Sequence, residues 1–236
     1  MSVFKLKQFD LKQSDSLQKM GSDTMLLGAS VTGEFKTILD IGTGTGILAL
    51  MMAQKNLAAS VSAIEPHLPS FKEAKFNFEA SQFSDRIQVS SNKLQTYKTT
   101  ELFDLIISNP PYYENSTLSK NYSKNTARHT LNLSINDFYK HTSAFLAKNG
   151  EVHLIFPSDL LKTHKKTAQQ YGLHPKRIIT VVKENQKPIR NIVNYSFSKV
   201  DTIEAFSITI ALTNGKYSKE YIALTKDFYA HDLSKK

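Results

Sequence analysis

The chain has no cysteine. That excludes disulfides and thiolate metal sites. It also excludes reactions that attack through a cysteine sulfur, among them the covalent route to methylation at carbon 5 of a pyrimidine. The seven histidines are scattered, and no two lie three or four apart on a candidate helix, so no zinc site is expected. The longest apolar run, Ile47 to Ala53, is far too short to span a bilayer. Met1 to Asp10 carries Lys5, Lys7 and Asp10 with no apolar stretch of signal-peptide length. No repeat or low-complexity tract is present. A cytoplasmic protein with no metal and no membrane partner is expected, with a monomer as the starting assumption for assembly. Acid is scarce as well: 30 Lys and Arg face 21 Asp and Glu, a formal net charge of +9 at pH 7. An excess of that size favours an anionic partner such as nucleic acid.

What is present suits one α/β domain: 236 residues, 40% hydrophobic and 22% charged. From Thr37 onward, short aliphatic runs alternate with helical patterns. Thr37–Ile41, Ser60–Glu65, Arg86–Ser90, Phe103–Ser108 and Glu151–Phe156 read as strands, most of them apolar throughout, as parallel strands covered on both faces are. Gly46–Lys55, Leu68–Ala80 and Ser134–Lys148 read as helices, with Ser134 as an N-cap and Gly150 as a stop. The alternation predicts a doubly wound, mostly parallel sheet. Ile178–Val182 and Glu204–Thr213 read as two further strands joined by a polar stretch, making seven in all and closing the sheet with an antiparallel hairpin. Residues 1–33 form an N-terminal segment before the main domain, 34–236. Within it Leu26, Leu27 and Val31 predict a short amphipathic helix.

Ile38-Leu39-Asp40-Ile41-Gly42-Thr43-Gly44-Thr45-Gly46 is a strand entering a glycine-rich turn and then a helix. Glycines at alternate positions let a ligand approach the backbone closely. A dinucleotide fingerprint would place its third small residue at position 47, which here is Ile47. No Lys-Ser or Lys-Thr follows, so the turn is not a phosphate-cradling P-loop. It suits a nucleoside without phosphates, and S-adenosylmethionine is the expected cofactor. Glu65 ends the next strand, where an acid can accept hydrogen bonds from both ribose hydroxyls. Pro66 has no N–H to offer an adenine, so Ser91 and Asn92, after the third strand, are the candidate adenine readers, with Asn92 able to meet the amino group or a ring nitrogen. The cofactor set is thus Asp40, Gly42, Gly44, Gly46, Glu65 and Asn92. Read alone, a glycine turn is often only a turn, and an Asn at this position is as often a turn residue.

Asn109-Pro110-Pro111-Tyr112 follows the strand Leu105-Ile106-Ile107-Ser108. In open α/β sheets the ligand crevice lies beyond the carboxyl ends of the strands. An exocyclic amino group conjugated to a ring is a poor nucleophile, because its lone pair is delocalised. Acceptors for its two N–H bonds let the nitrogen pyramidalise and aim that lone pair at a methyl group. The Asn109 side-chain oxygen is one such acceptor and the Pro110 carbonyl the candidate second, with the prolines holding both in place. Tyr112 offers a face on which a base can stack. The alternative is a structural Pro-Pro turn beside an aromatic.

The glycine loop, Glu65 and Asn-Pro-Pro-Tyr resemble class I, Rossmann-like methyltransferases that act on amino nitrogens. A closer resemblance covers nearly the whole chain. Phe4 to Phe9, Lys19-Met20-Gly21-Ser22-Asp23, Leu26-Leu27-Gly28-Ala29, Ala127-Arg128-His129 and Tyr217…Leu224-Thr225…Phe228-Tyr229 look like the bacterial tRNA1(Val) adenine-N6 methyltransferases. Ser22 and Glu65-Pro66-His67 depart from the commonest form of that pattern. The resemblance implies methylation of adenine 37 beside the anticodon of a valine tRNA. It also implies that Gly21–Asp23 lies over the methionine end of the cofactor, which adds Asp23 to the cofactor set.

Eight Lys and Arg against one acid, Glu184, fall within residues 160–190, and Lys165, Lys166, Arg177 and Arg190 are taken from it as RNA contacts. Arg128, in a polar loop after the catalytic motif, is a fifth. The plain alternative is a solvated helix face and a long loop. Protein glutamine methylation, guanine-N2 methylation of RNA, and RNA binding without catalysis are the competing functional readings. About thirty residues before the glycine strand are too few for the helical substrate domain of the glutamine enzymes.

Overall fold

The computed structural model describes residues 3–14, 20–110 and 133–235. Tyr112 and Arg128 therefore lie outside the described residues. The chain begins with a small antiparallel hairpin, β1 (Val3–Lys5) and β2 (Asp10–Lys12), and a helix, α1 (Ser22–Ser30). Strands and helices then alternate: β3 (Thr37–Ile41), α2 (Ile47–Lys55), β4 (Ser60–Ile64), α3 (Leu68–Glu79), β5 (Ile87–Ser90), β6 (Phe103–Ser108), α4 (Ile135–Phe145), β7 (Leu146–Pro157), α5 (Leu161–Gln170), β8 (His174–Val182), β9 (Pro188–Ser196), β10 (Glu204–Thr209) and α6 (Lys219–Thr225).

Eight strands form one sheet in the order β10-β8-β9-β7-β6-β3-β4-β5. All neighbours are parallel except those of β9, which runs against both β7 and β8. The doubly wound, mostly parallel architecture with an antiparallel hairpin is the one expected. The hairpin's composition differs. Its second arm is Pro188–Ser196, and Glu204–Thr209 instead returns to lie parallel to β8 at the sheet's edge, raising the strand count from seven to eight. The β9 strand hides in the sequence because Arg190, Asn191 and Asn194 interrupt its apolar run, yet Asn191 to Ser196 are all buried. Asn191 satisfies its amide by accepting from the Thr180 hydroxyl on β8 and donating to the Ser158 carbonyl.

Alternate strand residues feed two cores. Ile38, Val61, Leu105 and Ile107 pack with α1, α2, α3 and α6, while Leu39, Ile41 and Ile106 pack with α4 and α5 on the opposite face. α1 is no surface amphipath: Thr24 through Ser30 are all buried, because the helix is wedged against α2, β7 and α6. It shares a hydrophobic cluster with β1, β2 and the C-terminal Phe228 and Tyr229. Ser134 caps α4, accepting from the Asp137 N–H at 3.0 Å. That helix stops at Phe145 rather than Lys148, and Gly150 is not its terminator. It lies inside β7, where the register against β6 shifts and a Cβ would come 2.7 Å from the Phe103 carbonyl oxygen.

Candidate active site

The chain builds outward from β3 to β4 and β5, then crosses back to add β6 on the other side of β3. That reversal opens a crevice at the carboxyl ends of β3 and β6, the usual place for a ligand in such sheets. Asp40 pairs with Ile107 across the two strands. Gly42 and Asn109 each follow two residues later, so the glycine loop and the Asn-Pro pair share one rim. The Ser108 hydroxyl ties the two strand ends together by donating to the Ile41 carbonyl at 2.7 Å.

The glycine loop is held from beneath. The Gly42 and Thr43 N–H groups both donate to the Ile64 carbonyl at the end of β4. Asp40, fully buried, accepts from the Thr43 hydroxyl at 2.5 Å and from the Ala49 N–H at 3.1 Å, so it braces the loop against the start of α2. Its other oxygen has no partner. Burial pushes the Asp40 carboxyl up to about 7, against those two hydrogen bonds and with some help from the Glu65 charge. Glu65, 5% exposed, accepts from the Gly44 N–H at 2.9 Å and from the His67 N–H at 2.8 Å. Burial raises its pKa as well. Asn92 stands just past β5, beside the end of β4, its N–H donating to the Ser90 carbonyl, which also accepts from the Glu65 N–H.

The three glycines serve different ends. All have positive φ, +70°, +58° and +88° for Gly42, Gly44 and Gly46. A Cβ on Gly42 or Gly44 would meet nothing within 4 Å, so these two present bare backbone to open space. A Cβ on Gly46 would fall 2.4 Å from the Phe78 ring, so packing against α3 by itself requires a glycine there. Two glycines that present bare backbone to open space, with the Glu65 carboxylate at the neighbouring strand end, suit a hydroxyl-bearing nucleoside such as S-adenosylmethionine.

On the far side of β3 stands Asn109. Its Nδ2 donates to the Thr24 hydroxyl at 2.9 Å, which leaves Oδ1 to accept from a ligand. Pro110 follows, partly exposed. Nothing in the sequence motifs points to Thr24, because the contact spans 85 residues. Asp23, the residue before it, is bound to Arg190, whose Nε donates to its carboxylate at 2.8 Å. Arg190 sits on β9, two strands beyond β6 and away from the glycine loop. The expected cofactor residue Asp23 and the expected RNA residue Arg190 are thus partners, on the walls of a cavity of about 400 Å³ that Thr24, Ile189 and Ile210 also line.

The other basic residues separate. Lys165 and Lys166 are exposed on α5. Lys183 and Lys187 are exposed in the β8–β9 turn, on the same edge of the sheet as the crevice. Arg177, expected among the RNA contacts, is a correction. It is engaged within the fold: Nε is 3.2 Å from Glu204, the guanidinium donates to the Ser30 carbonyl, and it stacks over Phe206. Its neighbour Lys176 is likewise taken by Glu151, 2.6 Å away. Glu151 also accepts from buried His153, and those contacts hold its carboxyl down at about 2.

A family model described as the methyltransferase small domain matches residues 16–172. A tRNA1(Val) (adenine(37)-N6)-methyltransferase of Bacteroides fragilis is 37% identical over 231 residues, covering 96% of this chain and 97% of that one. A protein of the same description from Trichodesmium erythraeum is 35% identical over 232 residues, again with 96% and 97% covered. The chain belongs to this methyltransferase family. Solved structures carry the same fold at lower identity. A predicted O-methyltransferase from Agrobacterium tumefaciens superposes with a TM-score of 0.65 at 19% identity, covering 89% of this chain and 98% of that one. A putative RNA methyltransferase from Pyrococcus horikoshii gives 0.55 at 17% identity, over 76% and 82%. Among the described residues no group of three or more His, Asp or Glu is placed to hold a metal, and no helix is long and apolar enough to cross a membrane.

Proposed function

We propose that this protein methylates N6 of adenine 37, beside the anticodon of a tRNA1(Val), with S-adenosylmethionine as the methyl donor. The observation that carries the reading is Asn109 at the mouth of the crevice, its amide nitrogen taken by Thr24 and its oxygen left to accept. The naming of relatives more than a third identical over nearly the whole chain supports the target.

When bound, S-adenosylmethionine supplies a methyl group already activated by its sulfonium. The residues that would hold it are the Gly42 and Gly44 backbone, Glu65 for the ribose hydroxyls and Asn92 for the adenine. Asp40 acts beneath them as the brace of the loop. Asn109 Oδ1 and the Pro110 carbonyl accept the two N–H bonds of the target amino group, which localises the nitrogen lone pair. Because the donor is strongly activated, positioning does much of the work, and no strong base is needed. Tyr112 is the proposed stacking surface for the base, and Arg128 a proposed contact to the RNA.

The RNA approaches from the crevice edge. Lys183, Lys187 and Arg190 stand there, and the exposed face of α5 with Lys165 and Lys166 extends the positive surface. Phosphate contacts of this kind release counterions, so binding weakens steeply as salt rises. The deciding experiment offers whole tRNA, a release-factor protein and free adenosine to the enzyme at one salt concentration, with nucleoside mass spectrometry of the products. N6-methyladenosine in tRNA is expected, with free adenosine a very poor substrate because remote contacts orient the base. Methylation of the protein and none of the tRNA would overturn the reading in favour of glutamine.

A further inference from the structure

The Asn109 amide is gripped by a residue that belongs to no motif. Thr24 lies in the first turn of α1, is 7% exposed, and makes its hydrogen bond to Asn109 from the packed side of that helix. α1 has little freedom to move. Asp23 is bound to Arg190 at the N-terminal end, and Lys55 donates to the Ala29 and Val31 carbonyls at the C-terminal end. Met25, Leu26 and Leu27 between them are wholly buried. The Thr24 hydroxyl is therefore a fixed point against which the end of β6 is set.

An Asn amide presents its oxygen or its nitrogen according to a half-turn about χ2, and the two are close in shape. To accept from an amino group the oxygen must face the ligand. The NH2 then points back into the protein and requires an acceptor there. A threonine hydroxyl has the lone pairs for this, whereas a valine of the same shape has none. We propose that Thr24 is a positioning residue for methyl transfer: its hydroxyl holds the Asn109 amide with Oδ1 toward the target amino group. The proposal rests on the role given to Asn109 above.

The test is single-turnover methylation of tRNA by Thr24→Val, Thr24→Ser, Asn109→Ala and the Thr24→Val/Asn109→Ala double variant, with cofactor Kd and thermal unfolding measured alongside. Thr24→Val leaves a buried donor unsatisfied whenever Oδ1 faces the substrate, so the rate should fall roughly ten- to a hundredfold. Thr24→Ser should stay within about threefold of the parent and cofactor Kd within about twofold, since neither change touches the glycine loop. The double variant should be no slower than Asn109→Ala, because the hydroxyl acts only through the amide. Thr24→Val at the parent rate with Asn109→Ala slow overturns the positioning role and leaves Asn109 standing. A double variant slower than Asn109→Ala, or a Thr24→Ser that fails to restore the rate, also overturns it. Asn109→Ala at the parent rate overturns the reading of Asn109 itself. If Thr24→Val does not fold, Thr24→Ser against Thr24→Ala at matched melting temperature decides: a faster serine variant supports the role and equal rates overturn it.

Discussion

The two sides of the crevice are made from different lengths of sequence. On the β3–β5 side, the glycine loop, its brace Asp40, the helix start at Ala49 and the acid Glu65 all fall within 26 consecutive residues, 40–65. Their hydrogen bonds tie the end of β3 to its own loop, to the start of α2 and to the end of β4. On the other side, Asn109 meets Thr24 across 85 residues, and Arg190 meets Asp23 across 167. The near side is a strand–turn–helix that shapes itself, so its weak points are backbone conformation and buried charge. The far side exists only once α1, β6 and β9 are packed together, so its weak points are the long-range contacts that hold them.

The largest effect expected from breaking that contrast comes from Asn109. Asn109→Ala should slow single-turnover methylation by roughly 10²–10³, the usual cost of one preorganised acceptor, with cofactor affinity measured by calorimetry nearly unchanged. A parallel loss of cofactor binding would mean that the two sides are not separable. Gly46→Ala and Gly44→Ala sharpen the near side. At Gly46 the new Cβ meets the Phe78 ring at 2.4 Å and φ is +88°. Thermal melts should show a stability loss of about 2–4 kcal/mol there, from overpacking and left-handed backbone together. At Gly44 only the conformational cost of about 1–2 kcal/mol applies. Its Cβ points into open space, so the loss should appear instead in cofactor affinity.

A smaller effect separates the basic residues by place. Reversing Lys183 and Lys187 to Glu should weaken tRNA binding and lower the slope of log affinity against log salt by up to about two, one per lost phosphate contact. Reversing Lys176 and Arg177 should instead lower the melting temperature, because both are bound to carboxylates within the fold. Filter binding over a salt series, beside melts, distinguishes the two pairs. Equal effects on RNA would contradict that division of roles.

The near side should also show a pH slope in stability. The Asp40 carboxyl is raised from 3.8 to about 7, so the folded state favours its protonated form. Its contribution to stability is complete below the unfolded value and is lost as pH rises through about 7. Unfolding free energy of the cofactor-free protein should therefore carry a downward component between pH about 4 and about 7. Denaturant titrations of Asp40→Asn, which has no charge to bury, should lack that component. An identical profile for both proteins would mean that Asp40 ionises without cost.

Glutamate 151 shows why some electrostatics escape sequence reading. It looks like an ordinary strand-edge acid, yet it gathers buried His153 and Lys176 and is held down at about 2. His153 lies two residues along β7, but Lys176 reaches the acid from β8, two strands away. The same holds for Arg177, which counts as one more positive charge in a basic stretch until β10 brings Glu204 and Phe206 to it. The β9 strand was lost for a related reason. Polar side chains such as Asn191 break the hydrophobic pattern, and the partners that satisfy them come from β8 and from the turn after β7.

By itself the sequence determined what depends on near neighbours. The alternation of apolar runs set the parallel sheet, Gly42 and Gly44 set the shape of the turn, Ser134 set the start of its helix, and the order of glycine loop, acid and Asn-Pro-Pro-Tyr set the kind of chemistry. These are short-range consequences of sterics and side-chain polarity, and a few residues suffice to impose them. Tertiary structure alone decided that Gly46 serves Phe78, that Arg177 is paired with Glu204, that Asp23 is bound to Arg190, and that Thr24 stands behind Asn109. Each of these is a meeting of elements far apart along the chain. It becomes determinate only when the strand order and two packed cores have fixed where those elements lie.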